Sequence, residues 1–284
     1  MVVSGTTDRR TRLRERDTTL PADLFFGATL LAAPANVVMQ LSHPAVGRGV
    51  VESTVSSGQL SRHPVKRTRT TLTYLAVSLG GNEEERRLFR REVNRQHAPV
   101  RSGKSSPVRY SAFDRDLQLW VAACLYKGMK DAREALGIPM TGARADALYR
   151  QAVRLGSTLQ MPEDAWPEDR EAFERYWKRA LERVSLDPEV RDHLLHITGL
   201  GFLPAPLRVV LGPASRFVTT GFLPQRFREE MGLPWGPTHQ RHFDRLMGGI
   251  GAVVRKSPRR VREFPYNLVL RDLRRRIRHN RQLV

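Results

Sequence analysis

Two histidines, His43 and His97, stand where proline interrupts a helix, and at such a break an imidazole can project into a pocket. His43 lies in Gln40-Leu41-Ser42-His43-Pro44, at the end of an apolar run, and His97 closes Asn94-Arg95-Gln96-His97-Ala98-Pro99-Val100-Arg101. A neutral ring in either place can ligate a metal through one nitrogen while the other finds a backbone carbonyl. Read from the residues alone, each is first a satisfied core histidine, with ligation as the alternative. The pairs His193/His196 and His239/His242 repeat at three residues on helical segments, but neither has a carboxylate partner, so both read as structural or solvent-facing. His63 and His279 read as surface.

Other chemistries are largely excluded. The single cysteine, Cys124, rules out an intrachain disulfide, a cysteine-rich zinc site and a four-thiolate iron–sulfur cluster. There is no phosphate-binding loop, no dinucleotide glycine fingerprint, no G-x-S-x-G elbow, no H-E-x-x-H pair and no C-x-x-C-H haem attachment.

The elements that must position these side chains are helical almost throughout. Asn82 with Glu85 reads as a helix start, since side-chain oxygen and carboxylate together satisfy free amides. That helix carries Phe89 and Val93 and stops near His97, because Pro99 disfavours continuation. Asp114 caps the next helix, with Leu117, Trp120, Val121, Cys124 and Leu125 on one face, and Thr141 begins another. Later helices are predicted near 169–184, 187–199, 206–221, 238–255 and 266–281. Trp235 in Gly232-Leu233-Pro234-Trp235 reads as an anchor of a proline-rich turn. Residues 1–21 form a polar arm, 22–275 one domain and 276–284 a basic tail.

The formal net charge is +19, from 48 Lys and Arg against 29 Asp and Glu. Such a surface attracts anions: nucleic acid, acidic lipid or carboxylates of a prosthetic group. From Arg255 onward eleven Lys and Arg face only Glu263 and Asp272, which is first a solvated helix face and otherwise a contact for acidic membrane. Nucleic acid is disfavoured, since no helix-turn-helix reader accompanies the charge. Leu24 to Leu41 is uncharged over 18 residues, at the lower limit of a membrane span, yet Gly27, Pro34, Asn36 and Gln40 interrupt it. Asp17 and Asp23 argue against a secretory leader, so a cytoplasmic protein with a buried first helix is expected, with peripheral membrane association as the alternative to a free one.

Six stretches, in order, resemble one family: QLSHPAVGRGV (40–50), RTRTTLTYL (67–75), NRQHAPVRSG (94–103), YSAFDRDLQLWVAACL (110–125), TTGFLPQRFREEMGLPWGP (219–237) and SPRRVREFPYN (257–267). This is the domain shared by the fungal MpaB-type oxygenases and the bacterial latex-clearing protein. The resemblance implies an all-α single domain with globin-reminiscent packing around one non-covalent haem b. Carried over by motif, His97 is the axial iron ligand, and Arg67 and Thr71 are the pocket arginine and threonine. Thr70 stands where the rubber-cleaving member has a distal lysine, and Cys124 where it has a threonine. His43 is either a second pocket histidine or a helix-end packing residue. The function so implied is oxidative attack by dioxygen on a hydrophobic, isoprenoid or lipid-like substrate. The alternative is a haem carrier or sensor of the same fold. The loss of the lysine argues against rubber itself.

Overall fold

The computed structural model describes residues 25–53 and 64–283. The polar arm, His63 and Leu24 lie outside the described residues. Among the described residues the chain is all-α, with no strand; an isolated antiparallel bridge joins Arg101 and Ser111.

The apolar run near the start is not one helix. A 3-10 stretch, Gly27–Ala32, leads into α1 (Ala33–Leu41), and Pro34 sits in its first turn, where proline costs no hydrogen bond. His43, in extended backbone, caps α2 (Pro44–Val51). A hairpin follows, α3 (Pro64–Gly80) and α4 (Glu83–His97). The long α5 (Arg115–Ala135) precedes α6 (Gly142–Ala152) and the single turn α7 (Arg154–Ser157). Then come α8 (Arg170–Leu181), α9 (Pro188–Thr198), α10 (Ala205–Phe222), α11 (Gln225–Met231), α12 (Pro237–Lys256), α13 (Arg259–Arg262) and α14 (Tyr266–Arg278).

The helix starts were legible. Asn82 accepts from the Glu85 amide while the Glu85 carboxylate takes the Asn82 amide, a reciprocal capping box. Asp114 accepts from the amides of Asp116 and Leu117. Thr141 is the N-cap of α6, but its side chain makes no capping bond.

α5 is the central element. It packs on α1, α6, α7, α10, α12 and the Gly27–Ala32 turn, while α1 is enclosed further by α2, α9 and α10. Contact between α1 and α5 is close because Gly128 faces Asn36: a Cβ there would stand 2.1 Å from the Asn36 Nδ2. Trp120 of α5 stacks on Trp177 of α8 (centroids 5.5 Å, interplanar 6°), and Phe173 and Phe227 extend this aromatic core. The basic run near the C-terminus is largely helix α14, which buries Tyr266, Leu270 and Leu273 and packs along α3. Its Arg274 pairs with the buried Glu85 at 2.7 Å, and Asp272 takes Arg275 and Arg276. These pairwise contacts do not establish the globin-reminiscent arrangement. No helix among the described residues is long and apolar enough to cross a membrane.

Candidate functional site

The α3–α4 hairpin sets the register of the site. Its turn lies at Gly81, and Tyr74 and Phe89, seven residues before it and eight after, stack at 6.4 Å. Two antiparallel helices advance about 1.5 Å per residue each, so the same register continues outward. Arg67 is fourteen residues before Gly81 and His97 sixteen after it, which brings them opposite one another at the open end. On α3, positions 67, 71, 74 and 78 share a face, and on α4, 89, 93 and 97 share one. Phe89 and Val93 are buried, and His97 continues their row.

Electrostatics agree with that placement. Burial, and after it the Arg67 cation, press the His97 pKa from 6.5 down to about 4. A helix C-terminus ordinarily favours a protonated histidine, and here desolvation and the guanidinium outweigh it. The ring is therefore neutral near pH 7. Its Nδ1 is buried without a hydrogen-bond partner, so the backbone carbonyl expected to orient it is not found. A neutral imidazole keeps a lone pair on one of its two nitrogens, the property a metal ligand needs. Arg67 is exposed by contact area, yet surrounding protein desolvates its charge and lowers its pKa. Both hold for a cation in a recess rather than on a convex surface. Thr71, one turn along the same face, is also exposed, and Thr70 is half-buried beside it.

Asn94, Gln118 and Gln160 brace this end and are absent from the sequence-predicted site residues. Asn94, one turn before His97, accepts a short hydrogen bond from the Gln160 amide. Gln118 of α5 donates to the Gln160 Oε1 (2.9 Å) and to the Ala112 carbonyl (2.9 Å). Asn94 lies in the His97 segment, so i,i+3 spacing can point to it; Gln160, 66 positions away, has no local signal. Arg90, on the same face of α4, donates to the last carbonyls around α7, at Ser157 and Thr158. The loop leaving His97 is seated by Tyr110, whose ring lies on Gly49 and whose hydroxyl donates to Glu52 at 2.8 Å.

His43 and Cys124 belong to a different environment. The His43 ring stands 6.0 Å from Trp120, and Trp120 donates to the Gln40 carbonyl at 2.9 Å. Burial first, then Arg183, lowers the His43 pKa against the opposing pull of Asp114 and Asp116; its Nδ1 is also buried and unpaired. Cys124 is fully buried, its carbonyl taking the Asn36 amide at 2.6 Å, and burial pushes its thiol pKa well up. A protonated thiol is a poor ligand. Two further histidines have local partners. His239 Nδ1 accepts from the Gly236 amide and its ring stacks on Trp235; His196 lies against Gly201. Trp235 anchors its turn through Gln240 and Arg228. No group of three or more His, Cys, Asp or Glu is gathered for a metal among the described residues.

Residues 24–252 match the family model described as ER-bound oxygenase mpaB/B'/rubber oxygenase, catalytic domain. The chain belongs to this family. The matched residues include His43, Arg67, Thr70, Thr71, His97 and Cys124 and end within α12. α14, which packs along the Arg67 helix, lies beyond the matched residues. Two relatives are uncharacterised proteins of Mycobacterium tuberculosis and Mycobacterium bovis. Each is 51% identical over 255 residues, covering 90% of this chain and all of the relative. No solved structure matches the chain.

Proposed function

We propose that this MpaB/rubber-oxygenase domain is a haem b-dependent oxygenase that acts with dioxygen on a hydrophobic, isoprenoid or lipid-like substrate. One observation carries the reading: the half-buried, neutral imidazole of His97, its Nδ1 buried without a partner, faces the Arg67 cation at the family's motif positions. A single imidazole suits iron whose other ligands come with a macrocycle, and haem, when bound, supplies the site at which dioxygen is activated.

The residues then divide the work. His97 would hold the iron through one nitrogen, its lone pair kept free by a depressed pKa. Arg67 presents a planar fork of donors that suits a haem propionate or a developing negative charge on oxygen. Thr71 keeps the motif's threonine, while Thr70 offers a neutral hydroxyl where the rubber-cleaving member has a lysine, so proton delivery here does not rest on an ammonium group. Cys124, buried and protonated, shapes the packing of α1 on α5. His43 packs against Trp120.

An absorption spectrum with a pyridine haemochrome assay tests this. Near-stoichiometric haem b in the parent protein, and a His97→Ala variant that keeps its helical circular dichroism but loses the Soret band, are expected. A colourless protein that takes up no added haem removes the proposal. Dioxygen uptake with reductant and lipid extract separates an oxygenase from a carrier or sensor.

A further inference from the structure

The first two turns of α10 project from the body of the protein. Gly212 is the first buried residue of the helix, packed on the Gly199 carbonyl of α9, and Ser215 ties the same place by donating to the Thr198 carbonyl. Every residue from Pro204 to Leu211 ahead of that seat is exposed. Leu207 is 50% exposed, Val209 70%, Val210 73% and Leu211 45%. Isolated aliphatic residues on a surface need no explanation, but four within five positions form a patch.

The arrangement around the helix selects the partner. At about 100° per residue, Leu207, Val209, Val210 and Leu211 point roughly 0°, 200°, 300° and 40° around the axis. These four side chains span roughly 200° of the circumference, a wider arc than one docking face uses, and Arg208, near 100°, occupies the rest. A helix end with so wide an apolar arc and a cation on its remaining side suits the boundary between headgroups and acyl chains of a bilayer. The charge is complementary to an acidic leaflet. From His193 to Arg228 there is no Asp or Glu, while Arg208 and Arg216 are exposed and the chain carries +19. Arg208, inside the apolar tip, has a stem long enough to lift its cation to the headgroups.

We infer that the α10 tip, Pro204 to Leu211, inserts into the interface of an anionic bilayer and anchors the protein peripherally. The anchor uses none of the residues of the His97 site and does not depend on what that site binds. It also differs from the basic C-terminal helix, whose apolar face is already used against α3.

Flotation with vesicles of phosphatidylcholine alone and of phosphatidylcholine with phosphatidylglycerol tests the anchor. The parent protein is expected to float with the acidic vesicles. The Val209→Ser/Val210→Ser variant, which removes only exposed aliphatic groups, is expected to lose about tenfold or more in affinity while its thermal midpoint is unchanged. Because Cys124 is buried, Val210→Cys can be labelled selectively with an environment-sensitive dye, whose emission is expected to move to shorter wavelength on acidic vesicles. Three results overturn the inference: no flotation of the parent protein with acidic vesicles, equal flotation of the double variant, or a dye response that rises with protein concentration alone. The last assigns the tip to a second copy of the chain.

Discussion

Arg67 and His97 face each other across the open end of the α3–α4 hairpin, and burial together with the guanidinium charge keeps the imidazole neutral until about pH 4. Each side chain is placed by its own helix. The register of the pair is set half a hairpin away, where Tyr74 stacks on Phe89.

Removing the cation relieves part of that pressure. In haem-free Arg67→Gln the His97 pKa is expected to rise from about 4 while staying below 6.5, because burial is the larger cause and remains. Imidazole resonances followed by NMR through an acid titration measure it. An unmoved pKa would show that the two side chains do not interact.

The same depressed pKa makes the haem-free fold sensitive to acid. The unfolded imidazole takes a proton near 6.5 and folded His97 only near 4, so between these values the unfolded chain binds more protons. Stability contributed by neutral His97 is complete above 6.5 and declines as pH falls through that window, by roughly 2–4 kcal/mol. His43, also lowered, acts in the same direction. Urea unfolding at several pH values is expected to show a shallower acid slope in His97→Gln than in the parent protein.

Cys124 should behave as a small core residue. Its thiol is fully buried and its pKa is raised, so a disulfide-exchange reagent is expected to modify it only as the protein unfolds. Fast stoichiometric reaction under native conditions would contradict this placement.

Gly128→Ala tests the seam between α1 and α5. The added methyl meets Asn36, whose amide donates to the Cys124 carbonyl and whose Oδ1 accepts from Gln40. Overpacking of this kind costs about 1–3 kcal/mol, read as a lower midpoint in thermal or urea unfolding. An unchanged midpoint would mean that the helices are not in such close contact.

Gln160→Leu keeps most of the volume and removes the bridge between Asn94 and Gln118. Leaving those amides short of partners is expected to cost about 1–3 kcal/mol. If His97 holds haem, apomyoglobin-transfer kinetics should also show faster haem loss than in the parent protein.

What the sequence by itself determined is local. The Asn82–Glu85 box, the Asp114 cap and Pro99 bound the helices around His97, because capping oxygens and proline act within a few residues of the chain. The ordered motifs named the family, which the match over residues 24–252 bears out. Packing decided the rest. Nothing local marks Gln160 as the brace of Asn94, or foretells that the nitrogen of His97 would lack its carbonyl, since both depend on which segments meet across the fold. Tertiary contact likewise places Cys124 on the Asn36 seam, and it absorbs the apolar face of the basic α14 while leaving the α10 tip uncovered. Hydrophobic pattern tells which residues seek burial, but only the assembled helices decide which of them find a partner.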